Sequence, residues 1–379
     1  MKIVYCTDTV CYPGGIQTVT LVKANALAKI QGNQVWIVVT DHTRNPILPL
    51  ENVTLVNLEV NYYDDDWRGY WYVLKGLICK RHIHKQRLQE VLDDIVPDVV
   101  ISTGTSEKYF LPTLTVKSAP VFIREIHFEK NYRKRAAFGV KDRLIAFIAD
   151  YYDYGCRITK YDQIVVLTKE DWNNNWNQDD KVKVIPNPMT TKITEKTNCH
   201  NLKAIAAGRL VQQKNFRSLI NIWKRVVMVH SEWILEIWGT GGQEQMLKKH
   251  IVESGLDGKV FLKGFTANLY GEMTTASIYL MTSEFEGFPL VLIEAMSVGL
   301  PVVSYACPTG PRDIIEDGKN GFLIQPNDEE EFANKVCRLI EDTELRVKMG
   351  KNALRTSENY QMEKIIDMWM DLFHSLRDK

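Results

Sequence analysis

Two series of short apolar runs, each run followed by a longer helix-compatible stretch, constrain this chain more than any other feature. The first series reads KIVYC (2–6), QVWIVVT (34–40), DVVIST (98–103), APVFIRE (119–125) and QIVVLT (163–168). The second reads LKAIAAG (202–208), WILEIWG (233–239), KVFLKG (259–264), SIYLMT (277–282) and LPVVSY (300–305). Runs this apolar suit strands buried on both faces, and such strands separated by helices form a parallel sheet covered by helices. The chain is therefore expected to be α/β, with two doubly wound domains. Between the series, IPNPMTTKITEKTNCHN (185–201) combines prolines with a polar, aperiodic stretch, as a linker does. The expected domains are 1–190 and 191–357, followed by a helix over 358–379. That last segment places Ile365, Met368, Trp369, Leu372 and Phe373 at helical spacing, so it needs a surface to pack on. Two such domains joined by a linker create a cleft, and ligands of these folds sit at the carboxyl ends of the strands.

With 379 residues, 45% of them hydrophobic, the chain has material for two cores. Forty-seven basic residues balance forty-seven acidic ones, so no overall field draws the molecule onto nucleic acid, and any anion site must be local. The seven cysteines lack the close pairs of a zinc or redox site and read as reduced thiols. The opening MKIVYCTDT is too short in apolar residues for a signal peptide, and the stretch 290–303 is interrupted by Glu294 and Pro301. A cytoplasmic protein that does not cross the membrane is expected.

Within SEFEGFPLVLIEAMSVGLP (283–301), Glu286 and Glu294 stand in an otherwise apolar stretch. Proline favours the first turn of a helix, so a helix is expected to begin near Pro289, with Glu286 on the preceding loop and Glu294 in the second turn. A helix N-terminus attracts anions, which makes two carboxylates there seem contradictory. A diphosphate flanked by hydroxyl-rich groups resolves the conflict, because a carboxylate accepts hydrogen bonds from adjacent hydroxyls. Helix capping is the plain alternative for either glutamate. In AAGRLVQQKN (206–215), Arg209 offers a fork for phosphate oxygens and Lys214 a point charge, although each alone reads equally as a surface charge.

Taken together, GRLVQQKN, KGF, SEFEGFPLVLIEAMSVGLPVV and DGKNGFLI resemble the C-terminal half of the retaining glycosyltransferases of family 4, which have the GT-B fold. The resemblance implies two Rossmann-like domains, acceptor-binding then donor-binding, and a C-terminal helix that packs back on the first. It places Arg209 and Lys214 on the donor diphosphate, Glu286 at the donor sugar and Glu294 on the ribose. Gly264 and the backbone of Phe288, Pro289 and Leu290 complete the donor set. In the N-terminal half, YPGGIQT (12–18) matches the family's glycine-rich loop, with Gly15 near the donor, and REIHFE (124–129) carries His127, a histidine that faces the donor sugar in the family. The implied substrates are a nucleotide diphosphate sugar, UDP-linked, and a lipid-linked saccharide acceptor. No cofactor and no metal are implied. One departure is CPTGPRDIIEDGKNG (307–321), where many members have Gly-Gly and a glutamate; the CPTGP form occurs among enzymes that build surface polysaccharides.

Asp64-Asp65-Asp66 resembles the metal-binding Asp-x-Asp of other glycosyltransferases but lies in a polar, aromatic stretch far from the donor motifs, and reads as a solvated loop. The segments Lys75–Arg87 and Lys130–Arg143 interleave basic residues with apolar ones, Arg133, Lys134, Arg135 and Arg143 with Phe138, Leu144, Ile145, Phe147 and Ile148. A surface of this kind lies against anionic lipid or is an ordinary helix with its charges outward. Two other functions share the fold: a nucleotide-sugar epimerase, which needs no acceptor, and a catalytically silent sugar-nucleotide binder. A dinucleotide dehydrogenase fits poorly, since YPGGIQT is not G-x-G-x-x-G.

Overall fold

The computed structural model describes residues 1–12, 14–41, 44–62, 70–137, 139–191 and 193–377, with the backbone alone for 70–77. Asp64-Asp65-Asp66 and Phe138 lie outside the described residues. The chain forms two units of α/β architecture. One comprises Met1–Leu167, Asn175–Thr190 and Met362–Lys379, the other Thr168–Asn174 and Thr191–Gln361.

The first unit is built on a parallel sheet of seven strands in the order β3-β2-β1-β4-β5-β6-β7. These are β1 (Lys2–Thr7), β2 (Gln34–Val39), β3 (Val53–Asn57), β4 (Val99–Ser102), β5 (Val121–Glu125), β6 (Gln163–Val166) and β7 (Val182–Val184). Successive side chains of a strand point to opposite faces, and each face has its own core. On one, Ile3, Tyr5, Ile101 and Ile123 pack with Leu21 and Leu27 of the helix Gly15–Ala28. On the other, Val4, Cys6, Val100 and Phe122 meet Leu88 and Leu92 of the helix Tyr70–Ile95. The C-terminal helix runs Met362–Arg377, after a short turn at Glu358–Tyr360, and buries Ile365, Trp369 and Phe373 in the first of these cores. The surface this amphipathic segment requires is thus supplied by the N-terminal unit, far away in sequence.

The second unit carries six parallel strands in the order β10-β9-β8-β11-β12-β13. They are β8 (Lys203–Ala207), β9 (Ile234–Trp238), β10 (Val260–Gly264), β11 (Ile278–Met281), β12 (Val302–Tyr305) and β13 (Gly321–Ile324). Leu219 and Trp223 of the helix Phe216–Val229 and Phe332 and Val336 of the helix Glu329–Glu341 are fully buried against it. Each sheet reverses its strand order once, between β1 and β4 and between β8 and β11, the points where open parallel sheets bind their ligands.

Three strands had no counterpart among the apolar runs: β3, β7 and β13. All are sheet edges. An edge strand is paired on one side only, and β3 and β7 are partly exposed, so neither presents a continuous apolar run.

Candidate active site

In the second unit, the loops that leave β8 and β11 flank the reversal point and are stitched to each other. The Gln213 carbonyl accepts from Glu284 N–H at 2.8 Å, the Gln213 side-chain amide donates to Phe285 O at 2.8 Å, and Thr282 Oγ1 donates toward the carbonyls of Lys214 and Asn215 at 3.2 and 3.1 Å. The result brings Lys214 to Glu286, with Nζ 2.6 Å from Oε1. The Lys214 stem lies across Gly208, where a Cβ would come within 3.3 Å of it. Arg209 is exposed, and among the described residues no ion pair holds it.

Glu286 is buried, and its backbone is fixed by the loop that departs from the family pattern. Its N–H donates to Pro308 O at 2.8 Å, and its carbonyl accepts from Thr309 N–H at 3.1 Å. Thr309 Oγ1 lies 3.2 Å from Gly287 O, and a Cβ at Gly310 (φ +105°) would meet Pro289 Cδ at 2.5 Å. The CPTGP loop therefore serves as the backing of Glu286-Gly287-Phe288-Pro289. Behind it, Glu170 takes Gly310 N–H at 3.2 Å and Arg312 Nη1 at 2.7 Å, while burial raises its carboxyl pKa.

The helix begins at Leu290 with Pro289 as its cap and ends at Ser297. Its first turn is already tightened, Leu290 N–H to Phe288 O and Leu292 N–H to Pro289 O, both 2.9 Å. What this end contributes to an anion is mainly its dipole; the point charge placed beside the preceding loop is Lys214, at Glu286. The Phe288 ring packs on Tyr360, 5.7 Å between centroids, which leaves the backbone of this segment as its polar face. Glu294 is half-buried. Burial raises its pKa, and the hydrogen bond from Tyr270 opposes the rise.

Two glycines escaped the sequence reading. A Cβ on Gly239 (φ +135°) would sit 1.9 Å from Gly208 O, and one on Gly241 would sit 2.4 Å from Leu210 O. The loop after β9 is pressed against the Arg209 loop by Gly208 N–H to Trp238 O (2.9 Å) and Leu210 N–H to Thr240 O (2.8 Å). Gly239 N–H in turn donates to Gly264 O at 2.7 Å, tying Gly264 (φ +76°) into the same layer. The signal was present as Gly239-Thr240-Gly241-Gly242 at a strand end, a run of residues that lets backbones touch.

Gly15 and His127 belong to the first unit, and the other eight candidate residues to the second. Gly15 opens the helix Gly15–Ala28, with Thr18 N–H bonded to Gly14 O at 3.0 Å. Across the reversal point the Asp8 carboxylate accepts from Thr105 N–H at 2.8 Å and Ser106 N–H at 3.1 Å. His127 follows β5 and is buried, its Nε2 3.5 Å from Glu125 Oε1. Burial pushes its pKa down to about 4, Glu125 opposing, so the imidazole is neutral near pH 7. Glu125 bonds the Lys23 ammonium; both side chains are 1% exposed, and Lys23 Nζ lies 4.7 Å from the Trp369 ring centroid. Burial pulls the Lys23 pKa down; at Glu125 burial pushes upward, but the charge and hydrogen bond of Lys23 together with the neighbouring His127 and Arg124 outweigh it and hold the carboxyl down.

The basic segment sorts differently from its sequence. Arg133 bonds Asp150 at 2.9 Å and also Asp153, and Arg135 bonds Glu129 at 2.6 Å, so these two are tied inward. The helix Gly139–Asp150 instead presents apolar residues, Val140, Leu144, Ile145, Phe147 and Ile148 being 48–85% exposed. Among the described residues, no helix is long and apolar enough to cross a membrane.

Residues 192–356 match the family described as Glycosyl transferases group 1. An uncharacterized glycosyltransferase of Haemophilus influenzae is 26% identical over 360 residues, 94% of this chain and 95% of that protein. The poly(ribitol-phosphate) alpha-N-acetylglucosaminyltransferase of Staphylococcus aureus is 27% identical over 76% of this chain, which spans only 57% of that protein's length. Among solved structures, S. aureus TarM, crystallised with fondaparinux, alpha-GlcNAc-glycerol and UDP, superposes with a TM-score of 0.73 at 17% identity, covering 98% of this chain and 99% of its own. The matched domain and the fold define a glycosyltransferase of the GT-B type.

Proposed function

We propose that the protein is a retaining glycosyltransferase of family 4, which moves a sugar from a UDP-linked donor to a hydroxyl of a lipid-linked saccharide during surface-polysaccharide synthesis. The observation that carries this reading is the Lys214–Glu286 contact at the β8/β11 reversal point, where the exposed Arg209 also stands. A cation for a diphosphate and a carboxylate for sugar hydroxyls are thereby held 2.6 Å apart. Glu294 takes the ribose, and Gly264 with the backbone of Phe288, Pro289 and Leu290 lines sugar and phosphates. The family resemblance also assigns Gly15 and His127, which belong to the first unit, to the donor. A neutral imidazole suits that role, because it offers a hydrogen bond to a sugar hydroxyl without adding a charge.

In this reaction the bond from the anomeric carbon to the phosphate oxygen breaks while the acceptor oxygen bonds the same face, and the departing phosphate takes the acceptor proton. The protein positions both substrates and stabilises the leaving diphosphate through Arg209, Lys214 and the helix end. No metal is required on this account. The alpha linkage in the S. aureus relative's name supports retention.

The exposed apolar residues of the helix Gly139–Asp150, with Lys141 and Arg143 on the same element, form the surface that rests on the anionic inner face of the membrane. A panel of nucleotide sugars tests the donor assignment by calorimetry and donor hydrolysis, with and without excess chelator. Saturable binding of one UDP-sugar, insensitive to chelator, is expected. Binding that disappears in chelator and returns with magnesium or manganese would overturn metal independence.

A further inference from the structure

In the first unit a cavity of about 110 Å³ opens beside His127. A water molecule needs roughly 10–15 Å³ of such space, so the cavity accommodates a group the size of a phosphate or carboxylate with part of its hydration. Four cations line it, Lys108, Arg124, Arg133 and Arg157, against a single lining carboxylate, Asp153.

The pairing of these charges is uneven. Lys108 Nζ and Arg157 Nη1 reach Asp153 at 2.7 and 3.1 Å, and Arg133 bonds it as well while taking Asp150 as a second partner. Three cations thus converge on one carboxylate. Arg124 donates to neutral oxygens, Ser102 Oγ at 2.6 Å and Gly104 O at 2.7 Å. Its nearest carboxylate is Glu107, 3.8 Å away, whose pKa is pushed up to about 7 by burial and by the neighbouring Asp8. A purely structural network would be matched charge for charge, because an unmatched buried cation is costly. Here the surplus faces open space. The Lys108 pKa is pulled down by burial, with Arg124 and Arg133 adding to it, as crowding of like charge requires. The wall also holds Phe128 and Tyr132, whose rings pack 5.0 Å apart, an amphipathic surface of the kind that takes a sugar ring.

We propose that this cavity is an oxyanion subsite for the acceptor: Lys108, Arg124 and Arg157 hold a phosphate or carboxylate carried by the acceptor saccharide, and the aromatic pair takes the sugar beside it. The word acceptor rests on the glycosyltransferase reading above; the anion binding itself does not. The phosphate would come from the lipid carrier, the carboxylate from a uronic acid.

The probes are inorganic pyrophosphate, the methyl glycoside of glucuronic acid and the neutral methyl glucoside, each titrated calorimetrically. The proteins are wild type, Arg157→Gln, Arg209→Ala, and the two substitutions combined. An anionic probe should still bind Arg209→Ala, in which a donor-site cation is gone, and on that background should weaken about tenfold or more when Arg157→Gln is added and lose affinity as salt rises; the neutral glucoside should not bind measurably. Pyrophosphate binding alone points to a phosphate, and glucuronide binding to an acidic sugar. Should Arg157→Gln lose thermal stability, Lys108→Met serves in its place. Anion binding that is lost in Arg209→Ala yet kept in Arg157→Gln, or no anion binding at all, overturns the proposal. UDP titrated into the same proteins separates the two ideas: failure of UDP to bind wild type strikes the donor reading, while the anion result still stands or falls by itself.

Discussion

Glu286 and Glu294 sit in different surroundings, and those surroundings set what each substitution should do. Glu286 touches Lys214 and is clamped through its backbone by Pro308 and Thr309, at the end where the proposed function puts the sugar. Its hydrogen bonds matter most as the glycosidic bond breaks, so Glu286→Gln should chiefly lower kcat. Glu294, with Tyr270 beside it, is proposed to hold a ribose that does not react, so Glu294→Gln should chiefly raise the donor KM. A hydrogen bond to a charged group is worth roughly 1.5–3 kcal/mol, which corresponds to about a ten- to hundred-fold change in each case. Steady-state kinetics with the cognate donor read this directly, and loss of kcat in both variants with unchanged KM would merge the two roles. Both glutamates were legible in the sequence because carboxylates in an apolar stretch demand a reason. The partnership of Glu286 with Lys214, 72 residues away, was not, since only the strand order brings β8 beside β11.

Between elements, the buried Lys23–Glu125 pair joins the helix Gly15–Ala28 to β5, with Trp369 of the C-terminal helix over the ammonium. Removing one partner leaves a buried charge alone, whereas replacing both by apolar residues removes the desolvation cost together with the attraction. Lys23→Met should therefore destabilise the fold by about 3–5 kcal/mol, and Lys23→Met combined with Glu125→Leu should recover most of that loss. Urea denaturation checks it, and a double variant as unstable as the single one would show that the pair is not the source. Nothing local marks Lys23 as buried: a lysine among Val22, Ala24 and Asn25 on a helix reads as solvated. The helix itself, the strands with continuous apolar runs and the C-terminal helix were legible, because burial on both sheet faces and amphipathic spacing are written locally. The edge strands β3, β7 and β13 and the Gly239–Gly208 approach depend on partners elsewhere in the chain and are not.

For the molecule as a whole, the expected membrane contact moves from the basic residues to the apolar face beside them. Arg133 and Arg135 are engaged with Asp150, Asp153 and Glu129, so altering them would disturb the fold rather than a free surface. Leu144→Gln with Phe147→Gln should instead weaken binding to vesicles containing anionic lipid while leaving activity on a short soluble acceptor intact. Equal sedimentation of wild type and variant with vesicles would return this helix to an ordinary exposed one. The central claim is that this chain transfers a sugar with its anomeric configuration retained, and the most direct measurement is proton NMR of the first-formed product from an α-linked UDP-sugar and a saccharide acceptor. The account predicts a new α-glycoside whose formation matches UDP release. A β-glycoside would contradict retention, and UDP release or donor isomerisation with no glycoside formed on any acceptor would contradict the transferase itself.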